Sequence, residues 1–311
     1  MRSNPPAPEF ARPPRRHILV FLAPAVLIYT AIMIVPLFET LRLSLFSAVN
    51  NHNVFSGAAN FHALFFDERW SRGFWNALRN NVVFFLIQML QNPIGIALAA
   101  LLALPRLRAG TFYRTAIFLP TLLSFVIVGF GWKLILSPLW GVTPSLLNAV
   151  GLKFLFAPYL GREGSALITL GLISVWQYVG VPMMLCYAAL LAIPDELIDA
   201  AEVDGIVGIE QFFKIKLPLI WPTVGMISIL TFVGNFNAFD LIYVTQGALA
   251  GPNYSTDILG TLLYRTFFGY QLQLGDPNMG AAVATMMFLI ILAGVCFYLF
   301  AVQRRLARYQ F

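Results

Sequence analysis

Six carboxylates, Asp195, Glu196, Asp199, Glu202, Asp204 and Glu210, fall within residues 195–210 of a 311-residue chain that has 14 acidic residues in all. The stretch lies between two long apolar segments. Charge gathered on one loop of an otherwise apolar chain suits recognition by a soluble partner better than catalysis. No Ser–His–Asp, His-Glu-x-x-His or paired-Cys arrangement occurs anywhere in the sequence, and no Gly-x-x-x-x-Gly-Lys-Ser/Thr loop is present to cradle a nucleotide phosphate. The three histidines, His17, His52 and His62, fall near the N-terminus and in the first polar connection, where surface roles are expected. Cys186 and Cys296 sit inside apolar runs and read as small buried hydrophobes. Catalytic residues and metal ligands are therefore expected nowhere in this chain.

The acidic stretch carries its own folding instructions. Pro194 followed by Asp195 and Glu196 is a helix start, because a fixed φ suits the first turn and acids favour its positive end. Ala200 and Ala201 leave room for another surface to approach, and Gly205 can take the left-handed conformation that ends a helix. A second helix is predicted from there to about Lys216, burying Ile209, Phe212 and Phe213 at helical spacing. Helix, glycine corner and helix would make a rigid knob. The alternative, an amphipathic helix lying on the membrane, conflicts with six acids facing an anionic leaflet.

A second group of polar residues lies inside apolar runs, where such groups are costly and mark either a solute path or a helix contact. Gln177 is flanked by Trp176 and Tyr178, and Asn235, Phe236, Asn237 and Asp240 follow in the next run. Amide and carboxylate groups beside aromatic faces are the combination a sugar site uses. Asn237 and Asp240, three apart, share a helix face, whereas Asn235 and Asn237 do not. Ligand contact and packing between helices remain open for each of them, and Asp240 is also placed to be a hydrated cap at the outer end. Lys133 beside Trp132 reads as a snorkelling anchor.

The elements that must hold these groups are apolar helices. The chain is 59% hydrophobic and 11% charged, whereas a soluble domain is about half apolar and a quarter charged. Runs long enough to cross a bilayer recur at 18–38, 80–104, 116–136, 166–191, 217–245 and 281–302, predicting an all-α integral membrane protein of six transmembrane helices. The first run is too long for a signal peptide and passes through Pro36 without a small-residue cleavage site. With the N-terminus inside, twelve of the 20 Lys and Arg residues fall on the cytoplasmic side, in shorter loops than the eight outside. That orientation places both termini and the 195–216 loop in the cytoplasm. The net charge of +6 then reflects membrane topology and lipid contact, and implies no nucleic acid. Residues 1–17 read as a disordered cytoplasmic tail and 18–311 as one six-span domain. Phe61, Leu64, Phe65, Trp70, Phe74 and Trp75 suggest a membrane-surface helix before the second span. The outer connections 137–165 and 246–279, with their Gly and Pro residues, are expected to turn repeatedly.

The loop 195–222 resembles the EAA motif of ABC importer permeases, through Asp199-Ala200-Ala201, Asp204-Gly205, Leu217-Pro218 and Pro222. Asp199 stands where that family usually has Glu, and Ile206 where a small residue is common. NFHALFFDERWSRGFWNALRNN before the second span, FYRTAIFLP at the third, VWQYVGVPMMLCYAALLAIP in the fourth and NFNAFDLIYVTQGALAGPNYST in and after the fifth are similar to the carbohydrate-uptake branch of that family. The resemblance implies a permease subunit in a bacterial inner membrane, driven by a dimeric ABC ATPase that docks on Asp199, Ala200, Ala201, Asp204, Gly205, Phe212 and Pro218. It also implies a homologous second permease and an extracytoplasmic solute-binding protein. ATP and Mg would belong to the ATPase, no cofactor to this chain, and the cargo would be a sugar or small oligosaccharide; glycerol phosphate and sulfonated sugars stay open within the family. The rival outside it is a secondary transporter or channel, which would need intramembrane carboxylates; a second, an intramembrane enzyme, lacks its motifs.

Overall fold

The computed structural model of the protein describes residues 16–49, 52–104, 108–236, 238–271 and 273–304. Most of the expected N-terminal tail, the basic residue Arg106, the C-terminal residues from 305 and Asn237 lie outside the described residues. Among the described residues, four helices are long and apolar enough to span a membrane: α1 (Val20–Leu43), α3 (Glu68–Leu102), α7 (Glu163–Leu191) and α13 (Pro277–Gln303). Two bent pairs bring the number to six when each is counted as one span: α4 (Gly110–Leu122) with α5 (Phe125–Ile135), bent by 97°, and α9 (Gly208–Leu219) with α10 (Trp221–Phe236), bent by 67°. The remaining α-helices among the described residues are α2 (Ala59–Phe66), α6 (Val142–Ala149), α8 (Asp195–Val203), α11 (Phe239–Gln246) and α12 (Leu259–Phe268). A short antiparallel hairpin, β1 (Phe46–Val49) and β2 (His52–Phe55), pairs Phe46 with Phe55.

The spans differ from their sequence-based bounds for local reasons. The third is not one rod: Pro120 sits in a 3-10 turn, Leu119–Leu122, after which Leu123 is extended, and Ser124 restarts the helix by accepting the Ile127 N–H. The fifth, expected to run to 245, has α10 ending at Phe236 and α11 beginning at Phe239. The second begins much earlier than expected, and Trp70, Phe74 and Trp75 belong to it rather than to a surface helix. Phe74 is fully buried. Wide π turns occur at Thr30–Ile34 and Phe212–Lys216, ahead of Pro36 and Pro218; loosening the turn there relieves the clash of a proline ring with the carbonyl four residues back.

Between helices in lipid, apolar burial gives little drive, so close packing and hydrogen bonds do the work. Gly95 lets α3 approach α7 so closely that a Cβ there would lie 2.8 Å from the Met183 amide nitrogen and from Pro182. Amides stitch the bundle: Asn81 Oδ1 accepts the Leu259 N–H at 2.8 Å, and Asn80 Nδ2 donates to the Asp257 carbonyl at 2.9 Å. The segment around the start of α12 carries a buried ion pair, Arg265 Nη2 to Asp257 Oδ2 at 2.7 Å. Burial pushes the Asp257 carboxyl up, while Arg265 and Thr261 pull it down.

Candidate functional site

Two regions carry the polar groups that the sequence singles out. The first is the loop after α7. Helix α8 begins behind Pro194, with Asp195 and Glu196 in its first turn. It ends in a Schellman cap: the Gly205 N–H donates to the Glu202 carbonyl at 3.0 Å and the Ile206 N–H to the Ala201 carbonyl at 2.8 Å. Gly205 has φ +77° with open space around it, so backbone conformation rather than crowding selects glycine. Asp199, Ala200, Asp204 and Gly205 are exposed, and Ala201 is buried.

The second half of the knob differs from its prediction. Of the three residues predicted to face inward, only Phe212 does so, against the cluster of Ala99, Cys186, Leu190 and Ile220. Ile209 and Phe213, expected to be buried, are 79% and 60% exposed, and Val203 is 88% exposed. Gly208 at φ +63° redirects the chain, so the face predicted to turn inward looks out of this subunit. Gln211, which the sequence reading passed over, is buried and donates to the Ile206 carbonyl at 3.5 Å, bracing the corner. Lys214 pairs with Glu210 at 2.6 Å, and Pro218 is half-buried in the turn leading to α10.

The second region is a cavity of about 390 Å³ between α3, α5, α7 and α10, with Leu241 of α11 also in its lining. Its polar lining comes from Gln88, Gln91, Ser174, Tyr178 and Thr231. Gln88 Nε2 donates to Ser174 Oγ at 2.8 Å, and Gln91 Nε2 to Thr231 Oγ1 at 2.9 Å. The Oε1 ends of both glutamines are buried without a partner. The two residues flank Met89 and Leu90, where the helix of the second span loosens into a turn.

Of the predicted path residues that the structure describes, only Tyr178 lines this cavity, with its ring 5.6 Å from that of Phe125. Gln177 is wholly buried; its Nε2 donates to the Leu123 carbonyl at 3.0 Å while its own carbonyl accepts from Thr121 Oγ1 at 2.9 Å. It clamps the break in the third span, supplying partners to backbone that a broken helix leaves unpaired. Trp176 packs edge-on to Trp132 at 5.4 Å. Asn235 is buried with Oδ1 unpaired and its carbonyl accepting from Asn81 at 3.5 Å. Phe236 is buried among Phe74, Leu259 and Met279 and offers no free stacking face. Asp240 is exposed on α11. The sequence reading missed Gln88, Gln91, Ser174 and Thr231, although the same rule of costly polar groups within a span applies to all four.

No group of three or more His, Cys, Asp or Glu able to hold a metal ion occurs among the described residues. Residues 91–308 match the family model for the binding-protein-dependent transport system inner membrane component. The chain is 33% identical to the probable ABC transporter permease protein YurN of Bacillus subtilis, over 88% of this chain and 91% of that protein. It is 30% identical to the lactose transport system permease protein LacF of Rhizobium radiobacter, over 88% of each. Its fold is similar to a chain of a bacterial ABC transporter involved in the import of the acidic polysaccharide alginate, with TM-score 0.77, 21% identity and coverage of 94% of this chain and 96% of the other.

Proposed function

Because this chain belongs to the family of binding-protein-dependent transport system inner membrane components, we propose that it forms half of the membrane channel of an ATP-driven importer for a sugar or small oligosaccharide. A homologous permease supplies the other half. An ABC ATPase dimer docks on the 195–216 knob from the cytoplasm, and a solute-binding protein delivers cargo from outside. The observation that carries this reading is the knob itself. A Schellman-capped helix and a second short helix hold Val203, Ile209 and Phe213 outward beside six carboxylates. An exposed apolar patch rimmed by charge marks a protein contact. The coupling residues are Asp199, Ala200, Ala201, Asp204 and Gly205 on the outer helix and corner, with Phe212 and Pro218 anchoring the knob to the spans.

ATP-driven closure of the ATPase dimer pushes on the knob. Through Phe212, packed on the second and fourth spans, and through the bend into α10, that motion reaches the walls of the cavity. ATP and Mg stay with the ATPase. Cargo passes the cavity, with Tyr178 in its wall, while Trp176, Gln177, Asn235, Phe236 and Asp240 shape the surrounding helices. A secondary transporter would couple to an ion through buried carboxylates, and no carboxylate occurs among the described residues lining the cavity. Sugar as the cargo is supported by the relatives, one of which is a lactose system permease. The test is affinity purification of the tagged chain from its native membrane. An ATPase subunit and a second permease should come with it, and hydrolysis should rise on adding the cargo-loaded binding protein. Purification of the intact chain alone, with solute uptake insensitive to ATP depletion, would sink the reading.

A further inference from the structure

We infer that the cavity between the second, fourth and fifth spans takes an uncharged, polyhydroxylated solute and turns away carboxylated or phosphorylated ones. This rests on the import reading above and answers a question it leaves open. None of the described residues lining the cavity is charged. Its polar groups are two amides and three hydroxyls, and amides and hydroxyls both donate and accept. Phe125 and Tyr178 add two tilted ring faces. That set matches the alternating hydroxyls and C–H faces of a sugar ring.

Gln88 and Gln91 sharpen the match. Each has one amide end engaged and the other, Oε1, buried without a partner. An unpaired buried acceptor is unfavourable. The terminal torsion of glutamine is soft, so a small rotation presents the free oxygen to an O–H donor in the cavity. A carboxylate, or a phosphate in its prevailing dianionic form, has no proton to offer there at neutral pH. It would also leave water for a wall with no cation, and burying an unpaired charge is strongly disfavoured. Cations do occur elsewhere in the subunit: Arg69, Arg72 and Arg265 line a cleft of about 660 Å³ beside Trp70 and Tyr254. None of them lines the cavity.

The experiment uses the co-purified assembly in proteoliposomes, with its binding protein. The neutral probes are labelled maltose, lactose and raffinose; the anionic probes are an aldobiouronic acid and glycerol 3-phosphate. At least one neutral probe should be imported, at tenfold or more the rate of either anionic probe. The double variant Gln88→Leu, Gln91→Leu should raise KM for that probe tenfold or more while ATPase subunits still co-purify. Should this variant fail to accumulate, Gly234→Leu serves. Gly234 lines the cavity, and a Cβ there meets nothing within 4 Å. Filling that space should lower uptake at least tenfold. Import of an anionic probe within twofold of the best neutral one overturns the proposal. So does import of no neutral probe by an assembly that hydrolyses ATP, or an unchanged KM and rate in the cavity variants. Absence of any ATPase from the purified complex is a different result and defeats the import reading itself.

Discussion

The 195–216 knob and the membrane cavity are built on opposite terms. The knob has acids and apolar side chains facing outward, held by a few local hydrogen bonds, a glycine in the left-handed region and one inward phenylalanine. The cavity has no charged side chain among its described lining residues and draws its polar groups from three spans, tied by amide-to-hydroxyl bonds between residues 86 and 140 apart in sequence. A surface that must bind and release a soluble partner can leave its groups unsatisfied within the subunit. A passage through apolar surroundings must pair its polar groups or reserve them for the solute. One region therefore tolerates exposure and the other depends on close packing, and this difference decides how each should fail.

The largest effect is expected where helix packing fails outright. Gly95→Leu puts a side chain where Met183 and Pro182 already lie 2.8 Å from a Cβ. The cost should reach or exceed the upper end of the about 1–3 kcal/mol typical of overpacking. The membrane level of the protein should fall several-fold and its proteolysis should speed up, as read by immunoblot and limited trypsin digestion. Normal accumulation would mean that the α3–α7 contact is not needed.

Gly205→Pro should break the knob and spare the bundle. Proline cannot take φ +77°, and it removes the N–H that donates to Glu202. A backbone misfit of about 3 kcal/mol corresponds to a loss of coupling on the order of 100-fold. The variant should reach the membrane at wild-type levels yet import nothing measurable in proteoliposomes. Wild-type transport by this variant would remove the corner from the coupling path.

Ile209→Asp with Phe213→Asp should leave folding untouched, since both side chains are largely exposed. Loss of apolar contact at a docking surface is worth about 1–2 kcal/mol, so retention of the ATPase on the tagged chain should weaken about tenfold. Retention at wild-type strength would show that the partner does not sit on this face. Gly205→Ala should be mildest, because alanine can hold a left-handed conformation at a cost of about 1–2 kcal/mol. It should slow transport several-fold with the ATPase still bound, which separates strain at the corner from its collapse in the proline variant.

The same contrast governs how much could be read from the chain. Helix α8, its acidic start and its glycine end depend on residues within one turn of each other, so Pro194, Asp195 and Gly205 were enough to draw them. Ile209 and Phe213 were misplaced because periodicity shows which residues share a face, not what that face meets. In the fifth span, helical spacing carried the prediction through to 245, yet α10 ends at Phe236. Gln177, Asn235 and Phe236 are expected along a solute path, and the structure places them in α7 and α10 outside the lining of the cavity. What distinguishes clamp from cavity wall is the neighbouring helix: Leu123 for Gln177, and Thr231 and Ser174 for Gln91 and Gln88.

By itself, the sequence determined that this chain is an apolar helical bundle with one acidic, glycine-cornered loop between its fourth and fifth spans. Hydrophobic run length and local capping chemistry are properties of adjacent residues. Only the tertiary structure decided which polar groups meet. Gly95 brings the second span against the fourth, and the breaks at Leu122–Phe125 and Met89–Leu90 turn the intervening helices. Hydrogen bonds across a bundle are set by crossing positions and helix bends, and those emerge only when all the spans pack together.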